Sequence, residues 1–451
     1  MGRPSMRTLS HSEAPLDERP LRIAMIGQRG VPATYGGVEH HVAHLGRRLA
    51  LKGHEVTVYC RPGYVPERRD SYEGMRLRHV PTLSSKHLDA IVHSMACTLA
   101  ALPRRHDIVH YHALGPGLCS PLPRYLSRAR VVQTVHGFDD RRAKWGRAAQ
   151  GVLRTARRAS ERVPDAVVAV SEEVEGEYAR ARRGLTVRIP NGVERPSAPP
   201  PEDAVVRRGL RPGRYVLFVG RLVPEKAPDL LIDAFAGLDG DTDLVIAGGT
   251  SFTADYVRRL EDMAGADRRV RLLGYVYGEE LAALYAHAAA FVQPSVLEGM
   301  PLTLLEALSH AAPVVVSGIA PHLEVVGSDA PGARIFRPGD AADLRDVLGK
   351  VLADRTSEHE GAARRREEVL RRFSWDAAAD ALEHLYRTLL APPDTLRRNA
   401  LGVPSTPAPA TPPSSAPESS APESSAAASS ATPAALAEGA SEAVAGLPGE
   451  R

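Results

Sequence analysis

Short apolar runs alternate with helix-length periodic segments along most of this chain. The first run, LRIAMIG (residues 21–27), opens into the glycine-bearing loop QRGVPATYGG, and the periodic segment VEHHVAHLGRRLALKG follows. This order predicts a strand, a loop and a helix. Because the same alternation recurs, we expect a mostly parallel sheet with helices packed on both of its faces.

The alternation occurs in two series, which predicts two doubly wound α/β domains. The strand candidates of the first series are EVTVYC, MRLRHVP, DIVHYH, RVVQTVHG, AVVAVS and TVRIPNG; those of the second are RYVLFVG, TDLVIAGG, RVRLLG, AAFVQPS, APVVVSG and ARIFRPG. The proline-rich segment ERPSAPPPEDA between them is typical of a linker. The expected organisation is a flexible leader (1–20), an N-terminal domain (21–193), a linker (194–212), a C-terminal domain (213–373), a closing helix (374–392) and a disordered Pro/Ser/Ala-rich tail (393–451).

Ligands of doubly wound sheets bind outside the carboxyl ends of the strands. The segments GQRGVPATYGG, VHGFDD, GRLVPEK and SVLEGMP all follow strand candidates directly. We therefore expect all four loops to line one cleft.

Two glutamates, Glu298 and Glu306, stand eight positions apart in SVLEGMPLTLLEALSHAAPVV. Proline suits the first helical position, so a helix is expected to begin near Pro301. Its N-terminus would attract a phosphate, and carboxylates can bind the paired hydroxyls of a ribose or hexose. The segment thus favours a sugar-nucleotide site; the alternative is a helix cap with one solvated glutamate.

A second pattern in the same domain supports an anionic ligand. In GRLVPEK, Arg221 and Lys226 lie on the loop after the first strand of the second series. A planar guanidinium and a mobile ammonium could clamp a diphosphate without a metal ion. The alternative is an ion pair of Lys226 with Glu225 or another acidic neighbour on the surface.

GRLVPEK followed by EGMPLTLLEA resembles the retaining glycosyltransferases of family 4, which have the two-domain GT-B fold, and the resemblance extends from residue 21 to about 390. RIAMIGQRGVPATYGGVEHHV is similar to the glycine-rich N-terminal segment of that family. VPTLSSKHLDAI and VVQTVHGFDDRRAKWG are similar to a subgroup in bacterial polysaccharide assembly. The implied fold is two Rossmann-like domains, an N-terminal acceptor domain and a C-terminal donor-nucleotide domain, facing a central cleft.

The resemblance also implies residue roles. The donor would be bound by Gly36, Gly37, Arg221, Lys226, Gly274, Tyr275, Val276, Glu298, Gly299, Met300, Pro301, Leu302 and Glu306. Arg221 and Lys226 would hold the diphosphate, Glu306 the ribose and Glu298 the transferred sugar. The first two glycines would let backbone approach the phosphates, and residues 274–276 would flank the base. His136 would face the donor sugar, unless it only makes a structural hydrogen bond, and is expected to be catalytic with Glu298, Arg221 and Lys226.

The implied reaction transfers a hexose from a nucleoside-diphosphate sugar to a glycan or lipid-linked acceptor with retention, in cell-surface polysaccharide biosynthesis. No cofactor and no metal are expected. If both glutamates bind hydroxyls, a same-face mechanism fits better than a covalent double displacement. A GT-B sugar-nucleotide epimerase is the alternative function. A nicotinamide dehydrogenase fits worse, since GQRGVP lacks the GxGxxG spacing.

The sequence leaves several features open. Ala227 stands where a glycine commonly follows the lysine. His40 and His44 have a spacing compatible with a metal, but no HEXXH-like partner accompanies them, so a polar helix face beside the acceptor is favoured. Glu39 could cap the first helix or contact the acceptor.

Charge and cysteine content suggest the cellular context. Residues 1–200 hold 32 Lys and Arg against 19 Asp and Glu. This basic half could contact an anionic membrane, for instance through the helix predicted in 141–162, or could simply be solvated. The apolar stripe of that helix is expected at Trp145, Ala149, Val152, Ala156 and Ala159, with Arg147, Arg154 and Arg158 on another face. No nucleic-acid partner is expected. Three cysteines without metal or disulfide spacing, and no transmembrane or signal segment, predict a cytoplasmic protein that is peripheral to the membrane at most.

Overall fold

The computed structural model describes residues 19–34, 36–65, 67–81, 89–141, 147–182, 184–249 and 254–392. Residues 1–18 of the predicted leader and the whole predicted tail, 393–451, lie outside the described residues. No helix in the described ranges combines the length and the apolar character needed to span a bilayer.

The first half of the described chain forms one sheet with helices on both faces. Its strands are β1 (Arg22–Ile26), β2 (Glu55–Cys60), β3 (Ser71–Tyr72), β4 (Met75–His79), β5 (Ile108–His112), β6 (Arg130–Val135), β7 (Ala166–Ala169) and β8 (Leu185–Arg188). Its helices are α1 (Gly37–Leu51), α2 (Asp89–Ala101), α3 (Leu114–Gly117), α4 (Pro121–Leu126), α5 (Arg147–Arg162) and α6 (Glu172–Ala181), with a 3₁₀ turn at Asp139–Arg141. The strand order is β3-β4-β2-β1-β5-β6-β7-β8, and only the β3–β4 pair among these strands is antiparallel.

The second half forms a parallel sheet of its own. After α7 (Asp203–Val206), its strands are β9 (Tyr215–Val219), β10 (Asp243–Ala247), β11 (Val270–Gly274), β12 (Ala290–Gln293), β13 (Val314–Ser317) and β14 (Ala333–Phe336). The remaining helices are α8 (Pro228–Ala236), α9 (Ala254–Gly265), α10 (Gly278–Ala286), α11 (Leu302–Ser309), α12 (Ala320–Val326), α13 (Ala341–Ala353), α14 (Arg355–Arg372) and α15 (Trp375–Leu390), with a 3₁₀ turn at Pro224–Lys226. The order β11-β10-β9-β12-β13-β14 is parallel throughout the described strands.

Burial on both faces explains why the strands are almost continuously apolar. In β1, Ile23 and Met25 pack in the cluster that contains α1 and α15, whereas Ala24 and Ile26 pack in the cluster on the α2 side. Parallel strands covered on both faces have this composition. The predicted fold class, two doubly wound domains in a GT-B arrangement, is confirmed.

The final helix packs on the first sheet, although the chain enters it from the second domain. Ser374 caps α15 by accepting from the N–H groups of Asp376 and Ala377. Trp375 and Tyr386 then join the core of the first sheet, where the Tyr386 hydroxyl lies 2.6 Å from His110 Nδ1. The C-terminal end of the second domain is thereby fixed to the first domain.

Two details differ from the sequence expectations. The predicted linker, 194–212, contains α7, and its Ala204 and Val205 are buried in the core of the second domain. Of the apolar stripe predicted for α5, Ala156 is buried, whereas Val152 is 41% exposed and the buried face includes Ser160. Trp145, also predicted on that stripe, lies outside the described residues. The limits of the domains stay predictions.

Candidate active site

The loops after β9 and β12 meet because these strands are neighbours where the order of the second sheet reverses. β9 precedes Arg221 and Lys226, and β12 precedes Glu298. The carboxyl ends of adjacent strands at such a point form the crevice where doubly wound folds bind ligands. The motifs GRLVPEK and SVLEGMP are distant in the sequence, and the fold brings them together.

Glu298 is the most strongly held carboxylate of this crevice. Its Oε1 lies 2.5 Å from Lys226 Nζ and also accepts from Gln293 Nε2 at 2.8 Å and Ser295 Oγ at 2.7 Å. The other oxygen, Oε2, has no hydrogen-bond partner among the described residues. One oxygen is thus anchored by three donors, and the second is available for a ligand.

The same contacts fix the ionisation of Glu298. Burial alone would raise its pKa, but the ammonium of Lys226 and the hydrogen bonds outweigh burial and lower the pKa to about 2. At neutral pH, Glu298 is a carboxylate that can accept hydrogen bonds and cannot donate one.

Lys226 ends the 3₁₀ turn after β9, so its ammonium points back to the β12 loop. It bonds Glu298, which rules out the predicted alternative of a surface pair with Glu225; the Glu225 carboxylate is instead buried without a hydrogen-bond partner in the described chain. The next residue, Ala227, has φ 49° and ψ 44°, the left-handed conformation that glycine adopts readily. The loop therefore keeps a glycine-like path despite the alanine. Arg221, on the same loop, is half-buried.

Glu306 lies inside α11, which begins at Leu302, one residue later than expected, with Pro301 as its N-cap. The hydroxyl of Tyr285 donates to Glu306 Oε2 at 3.0 Å. Burial raises the pKa of Glu306, and the hydrogen bond from Tyr285 and the charge of His44 only partly offset this rise. The two glutamates therefore differ in electrostatic environment, which their spacing could not reveal.

The two domains touch at the glycine of the β12 loop. A Cβ atom built on Gly299 would lie 1.9 Å from the carbonyl oxygen of His136, and one built on Gly137 would lie 3.2 Å from the Gly299 Cα. His136 follows β6 in the first sheet. This close backbone contact brings His136 beside the loop that carries Glu298.

A cluster of histidines lies behind this contact. His136 Nε2 is 3.4 Å from His112 Nδ1, and the His136 ring packs edge-on against His41 with centroids 4.5 Å apart. Burial lowers the pKa of His41 to about 4 and that of His112 well below its ordinary value. Both of these imidazoles are therefore neutral at physiological pH.

Asn191 links the histidine cluster to the donor loop. Its Nδ2 donates to the carbonyl of Met300 at 3.2 Å, so its Oδ1 faces His41 Nδ1 at 2.8 Å. An amide oxygen only accepts, so His41 must carry its proton on Nδ1. The His41 Nε2 is then a bare acceptor, and it is buried without a hydrogen-bond partner among the described residues.

These histidines also bear on metal binding. The ligand nitrogens of His41, His112 and His136 all lie within 4.8 Å of one another, so this trio could hold an ion. Of the pair considered from the sequence, His44 stacks on Trp375 at 4.8 Å and lies 3.3 Å from Glu194, which ties α1 to the chain that crosses between the domains.

The glycine loop before α1 is braced from inside the first domain. Glu39 Oε1 accepts from the backbone N–H of Arg29 at 3.0 Å, and the carboxylate is buried, so Glu39 holds the loop and does not cap the helix. Gly36 has φ 101°, which requires glycine. Gly37 faces Leu302 of the donor loop, whose Cδ1 would lie 3.6 Å from an added Cβ.

The segment after β11 presents two exposed tyrosines. The rings of Tyr275 and Tyr277 stack at 5.9 Å with 9° between their planes, and Tyr275 also covers Gly249, where an added Cβ would lie 2.2 Å from its ring. Gly274 has φ 67°. Val276 is buried in the core, so its side chain is unavailable to a ligand and the prediction that it flanks the base can concern only its backbone.

The structure thus brings together most of the residues singled out from the sequence, with Met300 and Pro301 buried in the donor loop as structural members. Sequence reasoning missed Gln293, Ser295 and Asn191. Each is a common polar residue whose role depends on contacts made in the fold, with Glu298 for the first two and with Met300 and His41 for the third. The PNG turn at Asn191 was a weak signal.

Comparison with known proteins adds independent findings. The family model for "Glycosyl transferases group 1" matches residues 208–368, and that for "Glycosyltransferase Family 4" matches residues 35–195. A D-inositol 3-phosphate glycosyltransferase of Xylanimonas cellulosilytica is 31% identical over 384 residues, covering 78% of this chain and 91% of that protein. An alpha-maltose-1-phosphate synthase of Mycobacterium tuberculosis is 28% identical, covering 82% and 100%. A sucrose-phosphate synthase structure from Thermosynechococcus elongatus superimposes with a TM-score of 0.72 at 24% identity, covering 82% and 98%.

Proposed function

This chain belongs to glycosyltransferase family 4, and we propose that it moves a hexose from a nucleoside-diphosphate sugar to an acceptor hydroxyl with retention at the anomeric carbon. That the protein is a glycosyltransferase follows from the family. The relatives are named as a D-inositol 3-phosphate glycosyltransferase and an alpha-maltose-1-phosphate synthase, so the epimerase alternative is not favoured. The donor geometry and the stereochemistry are our proposal.

The observation that carries the proposal is the pairing of Lys226 with Glu298 beside the interdomain contact at Gly299. A cation and an ionised carboxylate lie side by side at the end of β12, and His136 from the other domain faces the same loop. A sugar linked to a diphosphate matches this pair: Lys226 would bind a phosphate oxygen, and the free Oε2 of Glu298 would accept from sugar hydroxyls.

The remaining donor contacts are assigned along the crevice. Arg221 would share the diphosphate with Lys226, and the N-terminal N–H groups of α11, an eight-residue helix, would face the same phosphates. Glu306, one turn further into that helix, would bind the ribose hydroxyls. Tyr275 would lie against the base. These cations and N–H groups can stabilise the departing diphosphate, so we propose that no metal ion is needed.

Retention is best explained by attack on the same face from which the diphosphate leaves. Glu298 is held by three donors on Oε1, and its Oε2 is assigned to hydroxyl groups, so it is not placed to attack the anomeric carbon. A diphosphate oxygen would accept the acceptor proton, and His136 would bind the donor sugar. A covalent glycosyl adduct trapped on Glu298 and identified by mass spectrometry would contradict this mechanism.

The acceptor is proposed at a coarser level. A glycan or other sugar-like hydroxyl remains our acceptor class, and the relatives named for inositol 3-phosphate and maltose 1-phosphate make phosphorylated polyols and sugars the first compounds to try. Polysaccharide biosynthesis and a cytoplasmic location stay predictions. Nothing in the described helices adds support for a lipid-linked acceptor.

A two-stage experiment tests the function. Thermal unfolding with UDP-, GDP-, ADP- and dTDP-sugars identifies the donor, since a ligand at a hundred times its Kd stabilises by about 2.7 kcal/mol. Transfer to inositol phosphates, sugar 1-phosphates and oligosaccharides is then followed by NMR of the anomeric proton, where the donor configuration should persist in the product. An inverted product, or a new epimer of the donor formed without acceptor, would overturn the proposal.

A further inference from the structure

A second basic site lies on the side of the first sheet where its strands begin, opposite the side that faces the catalytic crevice. Arg22 begins β1 and Glu55 begins β2, whereas His136 follows the carboxyl end of β6. In a parallel sheet, all strands begin on one side of the sheet and end on the opposite side. Any ligand bound among the strand starts is therefore separated from the donor loops by the length of the strands.

The side where the strands begin contains a cavity of about 210 Å³. Its lining residues are Arg22, Glu55, Thr57, Arg76, Arg78, Arg104, Arg105 and His106. Five guanidinium groups thus surround one carboxylate. The adjacent Asp107 lies 3.6 Å from Arg22 and also pairs with Arg19, so it offsets the charge of Arg22 and leaves the other four arginines without that compensation.

The geometry of the sheet produces this concentration of charge. Burial alternates along β4, so Met75 and Leu77 enter the core while Arg76 and Arg78 point out of the opposite face. Arg76 is in register with Thr57 of β2, and Arg78 with Tyr59. The chain after α2 contributes the facing wall of the cavity with Arg104 and Arg105.

Three of these arginines have no counter-ion in the described part of the chain. Arg76, Arg78 and Arg105 are exposed and make no ion pair with any residue that the structure describes. Elsewhere in the described chain, arginines commonly do pair: Arg157 lies within ion-pair distance of Asp140, Glu161 and Glu177. Like charges gathered around a cavity that is lined by only one carboxylate, that of Glu55, repel one another, and an anion reduces that repulsion.

We infer that this cavity, lined by arginines of β1, of β4 and of the chain between α2 and β5, binds an anion carrying two closely spaced phosphate groups. Guanidinium forks match phosphate oxygens in pairs, and a phosphate monoester carries a charge of about −1.5 to −2 at pH 7. Two phosphates therefore balance the charge of the uncompensated arginines, whereas one phosphate would leave part of that positive charge unbalanced. The anion is either a free diphosphate compound or a phosphorylated lipid headgroup.

The test measures binding of inorganic pyrophosphate to the full chain by isothermal titration calorimetry at low ionic strength. The variant Arg76→Ala/Arg78→Ala should lose one bound pyrophosphate per chain, or bind it at least tenfold more weakly. Arg104→Ala/Arg105→Ala, on the other wall, should behave alike. Arg207→Ala/Arg258→Ala removes two exposed arginines of the second domain and should match the wild type, which controls for net charge. Each variant is checked by circular dichroism and thermal unfolding.

A second arm separates the two sources of the anion. Phosphatidylcholine vesicles with and without a bisphosphorylated phosphatidylinositol, whose headgroup carries two neighbouring phosphates, are sedimented with each variant. Loss of pyrophosphate binding in both wall variants without any change in vesicle binding supports a free ligand, and loss of binding to the phosphorylated vesicles as well supports a lipid headgroup. Identical stoichiometry, Kd and vesicle binding in the wild type and both wall variants would overturn the inference. None of these readouts requires transfer activity, and any pyrophosphate bound by Arg221 and Lys226 would be the same in the wild type and both wall variants, so failure here leaves the proposed function untouched.

Discussion

Gly299 and His136 meet so closely that no side chain fits between them: an added Cβ on Gly299 would lie 1.9 Å from the His136 carbonyl oxygen. Real Cβ atoms do not approach a backbone oxygen to this distance, so any larger residue must push the donor loop away from the first domain. The contact therefore sets how closely the two halves of the candidate site can approach each other.

We expect Gly299→Ala to reduce kcat/KM at least tenfold, equivalent to about 1.4 kcal/mol of transition-state stabilisation. The loss should arise because Glu298 and His136 move apart, while each domain keeps its fold. Steady-state kinetics and circular dichroism measure these effects. Gly265→Ala is the matched control, since a Cβ at Gly265 meets no atom within 4 Å. Equal kinetics for both alanine variants would contradict the steric argument.

The Glu298 carboxylate should make stability depend on pH. Its pKa is about 2 in the folded chain and 4.5 ordinarily, so the ionised form is favoured by folding. This contribution is present above pH 4.5 and is lost as the pH falls towards 2. Between pH 5 and pH 3 the wild type should lose about 2 kcal/mol of unfolding free energy that Glu298→Gln does not lose.

Urea unfolding of the wild type and Glu298→Gln at both pH values measures this difference. Glu67→Gln serves as the control. Because Glu67 is exposed, this variant should show the same pH dependence of stability as the wild type. A parallel pH dependence for wild type and Glu298→Gln would show that Lys226 does not hold the carboxylate ionised in solution.

Asn191 should influence catalysis although it is buried behind the crevice. Asn191→Ala leaves the His41 Nδ1–H and the Met300 carbonyl without their partner, which costs about 1–3 kcal/mol of stability. Because Met300 adjoins Gly299, the donor loop should loosen and kcat should fall as well. Ser160→Ala removes a buried hydrogen bond to Tyr178 in the same domain but away from the crevice, so it should cost stability and spare kcat. Unchanged kcat in Asn191→Ala would reduce its role to packing.

The strands were predictable because parallel strands buried on both faces are written as apolar runs. LRIAMIG became β1 and AAFVQPS became β12, each ending within a residue or two of the expected position. The site loops were predictable for the same reason: they follow strand ends. Motif spacing thus singled out Arg221, Lys226 and Glu298, and the order of the second sheet brings the loops that carry them together.

Other features depend on contacts between segments distant in the sequence. Nothing in HHVAHL indicates that His41 is buried beside His112 and His136, since that depends on three separate elements meeting. The buried face of α5 includes Ser160, which lies off the predicted stripe, because Arg157 and Ser160 bond to α6 residues, and such partners cannot be read from helical periodicity. Val276 faces the core for a similar reason.

Tyr275 provides a test of where the donor base binds. Its ring is 43% exposed, covers Gly249 and stacks on Tyr277, which leaves an aromatic surface beside the end of β11. A base stacked there is remote from the anomeric carbon, so its binding energy should be the same in the ground and transition states. Tyr275→Ala is therefore expected to raise the donor KM about three- to tenfold and leave kcat unchanged.

The conservative variant distinguishes stacking from hydrogen bonding. Tyr275→Phe keeps the ring and should retain the wild-type KM, since stacking on an aromatic face requires no hydroxyl. Titration of the free nucleoside diphosphate should show the same order of affinities, because the base is present and the sugar is not. If Tyr275→Ala binds the nucleoside diphosphate as tightly as the wild type, the base lies elsewhere, and the prediction for residues 274–276 fails with it.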